Sequence, residues 1–164
     1  MHPPTGPAWL VWLETTRVAE AMRQWLWLYP IVEVAHIVGF VVLVGAALMF
    51  DLRLFGVSRA LPVTGMERHL LRAARLSLFL VVPSGVLMFM AHATEMADNP
   101  AFRLKLVLLL AAGVNAGVFH RAPFRSVAQW DRHAPAPLAA RVAGALSLVL
   151  WIGIIACGRL LAYL

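Results

Sequence analysis

Charged residues are scarce in this sequence. Aspartate, glutamate, lysine and arginine make up 13% of its 164 residues, whereas a soluble domain carries about 25%. Hydrophobic residues reach 62% of the chain. This balance excludes an ordinary soluble domain and predicts an integral membrane protein, with loops too short to hold a second domain.

Cysteine is almost absent. The single cysteine, Cys157, lies in an apolar run, so no disulfide can form within one chain, and a buried small apolar residue is expected. The net charge of +6 comes from basic residues that flank apolar runs. This distribution favours contact with anionic lipid head groups over a nucleic acid partner.

Four apolar runs are each long enough to predict a helix that crosses the bilayer. They cover residues 31–50, 76–91, 104–119 and 142–161. The second and third runs are short, so we expect their helices to extend through polar flanks, with the arginine-rich segment 68–75 continuing the second helix at the head groups. The predicted fold is an all-α membrane protein, an up-down bundle of four transmembrane helices over residues 30–164.

The segment before the bundle, residues 1–29, is predicted to hold an amphipathic helix that lies on the membrane. Between residues 8 and 29, aromatic and aliphatic residues recur at helical spacing with glutamate and arginine between them. Tryptophan and tyrosine favour the head-group region. The alternative is a helix packed on the edge of the bundle. Pro30 is expected to break or kink the chain before the first span.

The arginines predict the orientation. Nine of the 14 lysines and arginines fall in or beside the two loops that join span one to two and span three to four. Because basic loops stay on the cytoplasmic side, we expect both loops to be cytoplasmic and both termini periplasmic, in a bacterial inner membrane. The N-terminus lacks the basic and continuous apolar regions of a cleavable signal.

His36 lies inside the first span, and an ionisable group at such a depth is a functional-site hypothesis by default. Antiparallel threading places His36 and His92 at the same outer end of the bundle. Two histidines from different helices at one level are what a b-type haem needs as axial ligands. The predicted metal ligands are therefore His36 and His92, with Gly39 and Gly85 leaving room for the haem ring.

A second pair, His69 and His120, is predicted at the inner end, so that the bundle would hold one haem or two. Lys105 would hold a haem propionate or an anionic substrate, unless it extends to the interface. Other interpretations stay open. His36 could instead be a core histidine bonded to Glu33, a serine or a backbone carbonyl, and the histidines at helix ends could be interfacial.

Copper is the weaker cofactor alternative. Methionines surround His92 near the outer face, and thioether and imidazole groups suit Cu(I). The methionines are Met88, Met90 and Met96.

Three segments resemble a known superfamily. NPAFRLKLVLLLAAGVNAGVFHRAPF and RAARLSLFLVVPSGVLMFM are similar to the third and second spans of CopD-like inner-membrane proteins. HIVGFVVLVGAALMFDLRLFG resembles the opening helix of HemJ-type protoporphyrinogen oxidases, with His36, Arg53 and Lys105 at the matching positions. The likeness covers residues 31–125, and Phe102 replaces the usual tryptophan.

The resemblance implies haem b with His36 and Lys105 important, or copper handling. We expect membrane electron transfer between a quinone or a redox partner subunit and a periplasmic acceptor. The alternatives are a HemJ-like oxidase, a CopD-like copper-handling protein and a cofactor-free structural subunit. Whether the chain is an enzyme stays open, and a homo-oligomer is compatible with each function.

Overall fold

The structure is a computed structural model that describes residues 6–161 and 163. It is built from helices, and four of them are long and apolar enough to cross a membrane, which confirms the predicted all-α membrane fold. The helices are α1 (Ala8–Glu14), α2 (Arg17–Gln24), α3 (Leu28–Leu54), α4 (Val63–Ala91), α5 (Ala93–Asp98), α6 (Pro100–Arg121) and α7 (Leu138–Leu160). A short 3₁₀ helix, Pro123–Gln129, precedes α7.

The spanning helices are α3, α4, α6 and α7, and each is longer than the apolar run that predicted it. The α4 helix begins well before its apolar core. It passes through a π-helical turn, Glu67–Leu71, before the regular stretch Arg72–Ala91. The predicted helical continuation over residues 68–75 is therefore confirmed.

Two details of the N-terminal prediction were wrong. Pro30 does not interrupt the chain, because it lies in the first turn of α3, where a backbone N–H has no partner within the helix anyway. The predicted helix over residues 8–29 is instead two helices. The break falls at Thr16, whose hydroxyl oxygen caps α2 by accepting from Ala19 N at 3.3 Å.

The N-terminal helices are docked on the bundle. Leu10, Ala19 and Met22 are buried, and α1 and α2 pack on α4 and α5. Arg23 Nη1 donates to the carbonyl of Ala91 at 2.9 Å. The packed-on-the-edge alternative thus holds for one face, while an exposed aromatic face remains. That face carries Trp9, Trp12, Trp25 and Trp27.

The spanning helices are arranged in the order α4, α3, α7, α6, each packed on the next. The two outer members, α4 and α6, do not pack on each other along their lengths. They meet near one end through stacked rings of Phe89 and Phe102, with centroids 5.3 Å apart. We call that end, which holds α1, α2, α5 and the end of α7, the terminal end, and the opposite end the loop end.

Arg53 organises the loop end. Its side chain is only 1% exposed. The guanidinium donates to the carbonyls of Leu61 at 2.8 Å and Asp131 at 3.0 Å. The Asp131 carboxylate in turn accepts from Thr64 N at 2.8 Å. These bonds tie the two loops together over the end of α3, so that the loop end has a fixed shape.

Candidate functional site

His36 is held against α4 through its Nδ1. Its Nδ1 lies 3.0 Å from Ser84 Oγ and 3.1 Å from the carbonyl oxygen of Val81. The ring also takes the space beside Gly85, because a Cβ at that glycine would lie 3.1 Å from His36 Cε1. This is the geometry of the alternative interpretation, a core histidine bonded to a serine and a carbonyl.

Gly39 does not leave room for a haem ring either. A Cβ there would lie 2.8 Å from Val81 Cγ2, so the glycine is a point of close approach between α3 and α4. Gly39 and Gly85 therefore serve helix packing.

The structure does not bring His36 and His92 together. His92 is at the end of α4, with its ring edge-on to Tyr29 at 6.1 Å and its Nδ1 3.8 Å from Glu95. Tyr29 is seven residues before His36 on the same helix, a rise of about 10 Å. The two histidines thus lie at different levels of the bundle.

The inner pair is not brought together. Glu67, and not His69, is the α4 residue that faces His120, with Oε1 3.8 Å from His120 Nε2. His69 is exposed two residues further along α4. Lys105 extends toward α7, where its Nζ lies 3.8 Å from the position a Cβ on Gly158 would take.

Metal ligands are not clustered in the part of the chain that the structure describes. It contains no group of three or more histidine, cysteine, aspartate and glutamate side chains placed to hold a metal ion. His92 and Met96 do line one small cavity of about 230 Å³ at the terminal end, together with Glu95. Haem and copper binding stay predictions.

A larger cavity lies elsewhere, between all four spanning helices. Its volume is about 370 Å³. It extends from Leu43 and Trp151 near the middle of the bundle to Leu54 and His120 at the loop end. Four helices contribute to its wall, so the cavity belongs to the bundle as a whole.

Small residues and the helix order create this cavity. Because α4 and α6 do not pack on each other, α3 and α7 form its floor and a side remains open. Gly117 lines it and has no atom within 4 Å of the position that a Cβ would take. Gly113, one turn away, is equally open but lies outside the cavity wall. The GxxxG pair on α6 therefore does not mediate packing within the described chain.

Polar side chains gather at the loop end of the cavity wall. Asn115 Nδ2 donates to the carbonyl of Ala143 at 2.9 Å. Arg75 pairs with Glu67 at 3.4 Å, beside the contact of Glu67 with His120. Ser147 on α7 lines the same wall. The rest of the wall is almost entirely aliphatic and aromatic, so the cavity is polar at one end only.

Asp51 is the residue that the sequence analysis missed. It lines the cavity, is 5% exposed, and its Oδ2 has no hydrogen-bond partner among the described residues. Its Oδ1 points toward Gly144, 3.7 Å from the position of a Cβ there. A buried carboxyl oxygen without a hydrogen-bond donor is costly. The signal that could have found it is an acidic residue directly after the apolar run 31–50.

Comparison with known proteins identifies a family but no function. No curated protein and no solved structure matches the chain. The model of a family of unknown function, DUF6644, matches residues 9–164. The match covers nearly the whole sequence, including all the helices described above except the first residue of α1, and the chain therefore belongs to the DUF6644 family.

Proposed function

We propose that this multi-pass protein binds a small amphipathic molecule from the bilayer in the four-helix cavity, with Asp51 as the polar anchor. The observation that carries the proposal is the unpartnered Oδ2 of Asp51, a buried residue that lines a cavity of about 370 Å³ and whose carboxyl group is otherwise approached by the Ser147 hydroxyl. Ligand sites are concave and mostly apolar, with a few placed polar groups. Ionisable residues inside a membrane mark substrate or proton pathways.

The shape of the cavity favours a ligand with a head and an apolar body. The wall near Leu43 and Trp151 would contact the body, and the polar loop end would contact the head. A quinone is one class of molecule with this form, which keeps membrane electron transfer within the proposal. We place the protein in a bacterial inner membrane with the loop end cytoplasmic, because the arginine-rich loops lie at that end.

A second candidate, b-type haem, is favoured by one observation. His120 lines the cavity, and its Nδ1 lies 2.8 Å from the carbonyl of Ala116. A histidine whose Nδ1 is held by a carbonyl presents Nε2 to a ligand, and here Glu67, whose Oε1 lies 3.8 Å from that Nε2, would turn away to make room. This candidate uses His120 alone and needs neither of the predicted histidine pairs. The resemblance to HemJ-type proteins also implies haem b, but with His36 as the histidine that matters.

Two glycine variants test the proposal. Gly117→Leu places a large side chain in the cavity, whereas Gly113→Leu makes the same change one turn away, outside the wall. Wild type and both variants are purified, extracted with organic solvent and compared by mass spectrometry. We expect one amphipathic molecule, enriched over bulk lipid, in wild type and Gly113→Leu but not in Gly117→Leu. An equal yield from Gly117→Leu, or no enriched molecule in wild type, would contradict the proposal.

The haem candidate is tested on the same preparations by visible absorption before and after dithionite. A reduced b-type spectrum that is lost in His120→Ala and kept in His133→Ala would support it, since His133 is exposed on the loop end. Colourless wild-type protein from haem-replete cells would exclude the haem candidate and leave the amphipathic ligand.

A further inference from the structure

We infer that the molecule held by Asp51 is a lipid-soluble organic cation. This inference rests on the proposed function and names the ligand class of the same cavity. Asp51 is the only acidic residue in the described cavity wall, and its Oδ2 lacks a hydrogen-bond donor among the described residues. A carboxylate in an apolar surrounding needs a cation or a hydrogen-bond donor to offset its burial.

The neighbouring cations are already engaged. Arg53, two residues along α3, is turned to the loop carbonyls of Leu61 and Asp131. Arg75, on α4, pairs with Glu67, which also faces His120 on α6. The α7 wall contributes no charged residue. With Arg75 balanced by Glu67, the negative charge of Asp51 is left for the ligand.

Aromatic rings near Asp51 suit an organic cation. Phe50 and Phe119 line the cavity with ring centroids 5.6 Å apart, and Trp151 lines it farther from the loop end. A cation near the face of an aromatic ring is attracted by the electrons of the ring, most strongly when the cation has lost its water. An anion would gain nothing from these rings and would be repelled by Asp51. Charge and wall chemistry therefore select the same ligand class.

The open side of the cavity favours a ligand that dissolves in lipid. Leu78 on α4 and Ala116 on α6 both line the cavity and are exposed on the bundle surface. Both lie within helices that are long and apolar enough to span a membrane. A molecule could thus enter sideways from the bilayer between α4 and α6, where the two helices do not pack.

The test uses three probes of similar size and different charge, added to the full chain in lipid nanodiscs. They are tetraphenylphosphonium (cation), tetraphenylborate (anion) and triphenylphosphine oxide (neutral). We expect saturable binding of the cation only, weakened at least tenfold in Asp51→Asn and largely kept in Asp51→Glu. Asp98→Asn is the matched control, because Asp98 is exposed and paired with Arg103 at the terminal end. Thermal unfolding checks that each variant is folded.

The outcomes separate this inference from the proposed function. Equal cation binding by wild type and folded Asp51→Asn overturns the inference, as does equal binding of the anion. If the neutral probe alone binds, and Gly117→Leu removes it, the inference fails while the proposed function stands. If no probe binds, the cation inference is overturned, and the extraction experiment decides the proposed function by itself.

Discussion

The two halves of the bundle differ in whether their buried polar groups have hydrogen-bond partners. In the terminal half, His36 is bonded to Ser84 and Val81, and Arg23 is bonded to Ala91. In the loop half, Asp51 lines a cavity and its Oδ2 has no partner among the described atoms. Because an unpartnered polar group is costly in a membrane interior, the difference favours a structural role for His36 and supports the ligand role proposed for Asp51.

Three glycines show a similar difference between the two halves. The space beside Gly39 and Gly85 in the terminal half is filled by neighbouring side chains, whereas Gly117 in the loop half faces open space. The same residue type therefore permits close packing in one half and leaves a cavity in the other. The neighbouring helix, and not the glycine, decides which occurs.

The largest expected effect is on the loops that close the cavity end. Arg53→Ala removes a buried guanidinium together with its bonds to the carbonyls of Leu61 and Asp131, and of these two only the Asp131 carbonyl keeps another donor, Val63 N. We expect the free energy of unfolding to fall by about 3 kcal/mol, measured by denaturant unfolding in detergent. Arg72→Ala, at an exposed position of α4, is the control and should change it by less than about 0.5 kcal/mol. A similar loss in both variants would refute the anchoring role of Arg53.

The comparison of the glycines predicts a smaller loss of stability for a substitution at Gly39. Gly39→Ala places a Cβ 2.8 Å from Val81 Cγ2, so that α3 and α4 must shift. We expect the unfolding free energy to fall by about 2 kcal/mol. Gly113→Ala meets no atom within 4 Å and should cost nothing. The pair is compared by thermal unfolding in the same detergent, and equal melting temperatures would show that α3 and α4 are not closely packed at Gly39.

His36→Ala tests whether this histidine is structural. The change removes the contact with Ser84 and Val81 and leaves a void beside Gly85. We expect a loss of about 1 kcal/mol in stability, with binding of the tetraphenylphosphonium probe in the loop-end cavity unchanged. A His36→Ala variant with normal stability but no cation binding would place the ligand site in the terminal half instead.

The smallest stability effect is expected at Asp51. Asp51→Asn removes a buried charge whose Oδ2 has no partner within the described structure. Its stability should therefore be within about 0.5 kcal/mol of wild type, or slightly higher. Unfolding in detergent without added ligand measures it. A large loss would show that Asp51 supports the fold and would weaken its assignment to function.

Several features follow from the sequence alone. The low charge and four long apolar runs determine a membrane protein with four spanning helices, because a helix of that length buries its own backbone polar groups in lipid. The helical continuation through segment 68–75 was also predictable. These features depend on the composition of short segments, which can be read directly from the sequence.

Tertiary structure decided the site. The expected depth of His36 and His92 in the bilayer suggested that they are partners. In the structure, His36 instead contacts Ser84, and His92 lies beside Tyr29. Asp51 directly follows the apolar run 31–50, and only the packing of α4, α6 and α7 around it shows that it lines a cavity. Which side chains face one another depends on helix order, rotation and tilt, and lipid-facing and core-facing residues are alike in composition. For that reason the sequence determined the spans, and only the packing of α3 with its neighbours decided which buried polar group had no partner.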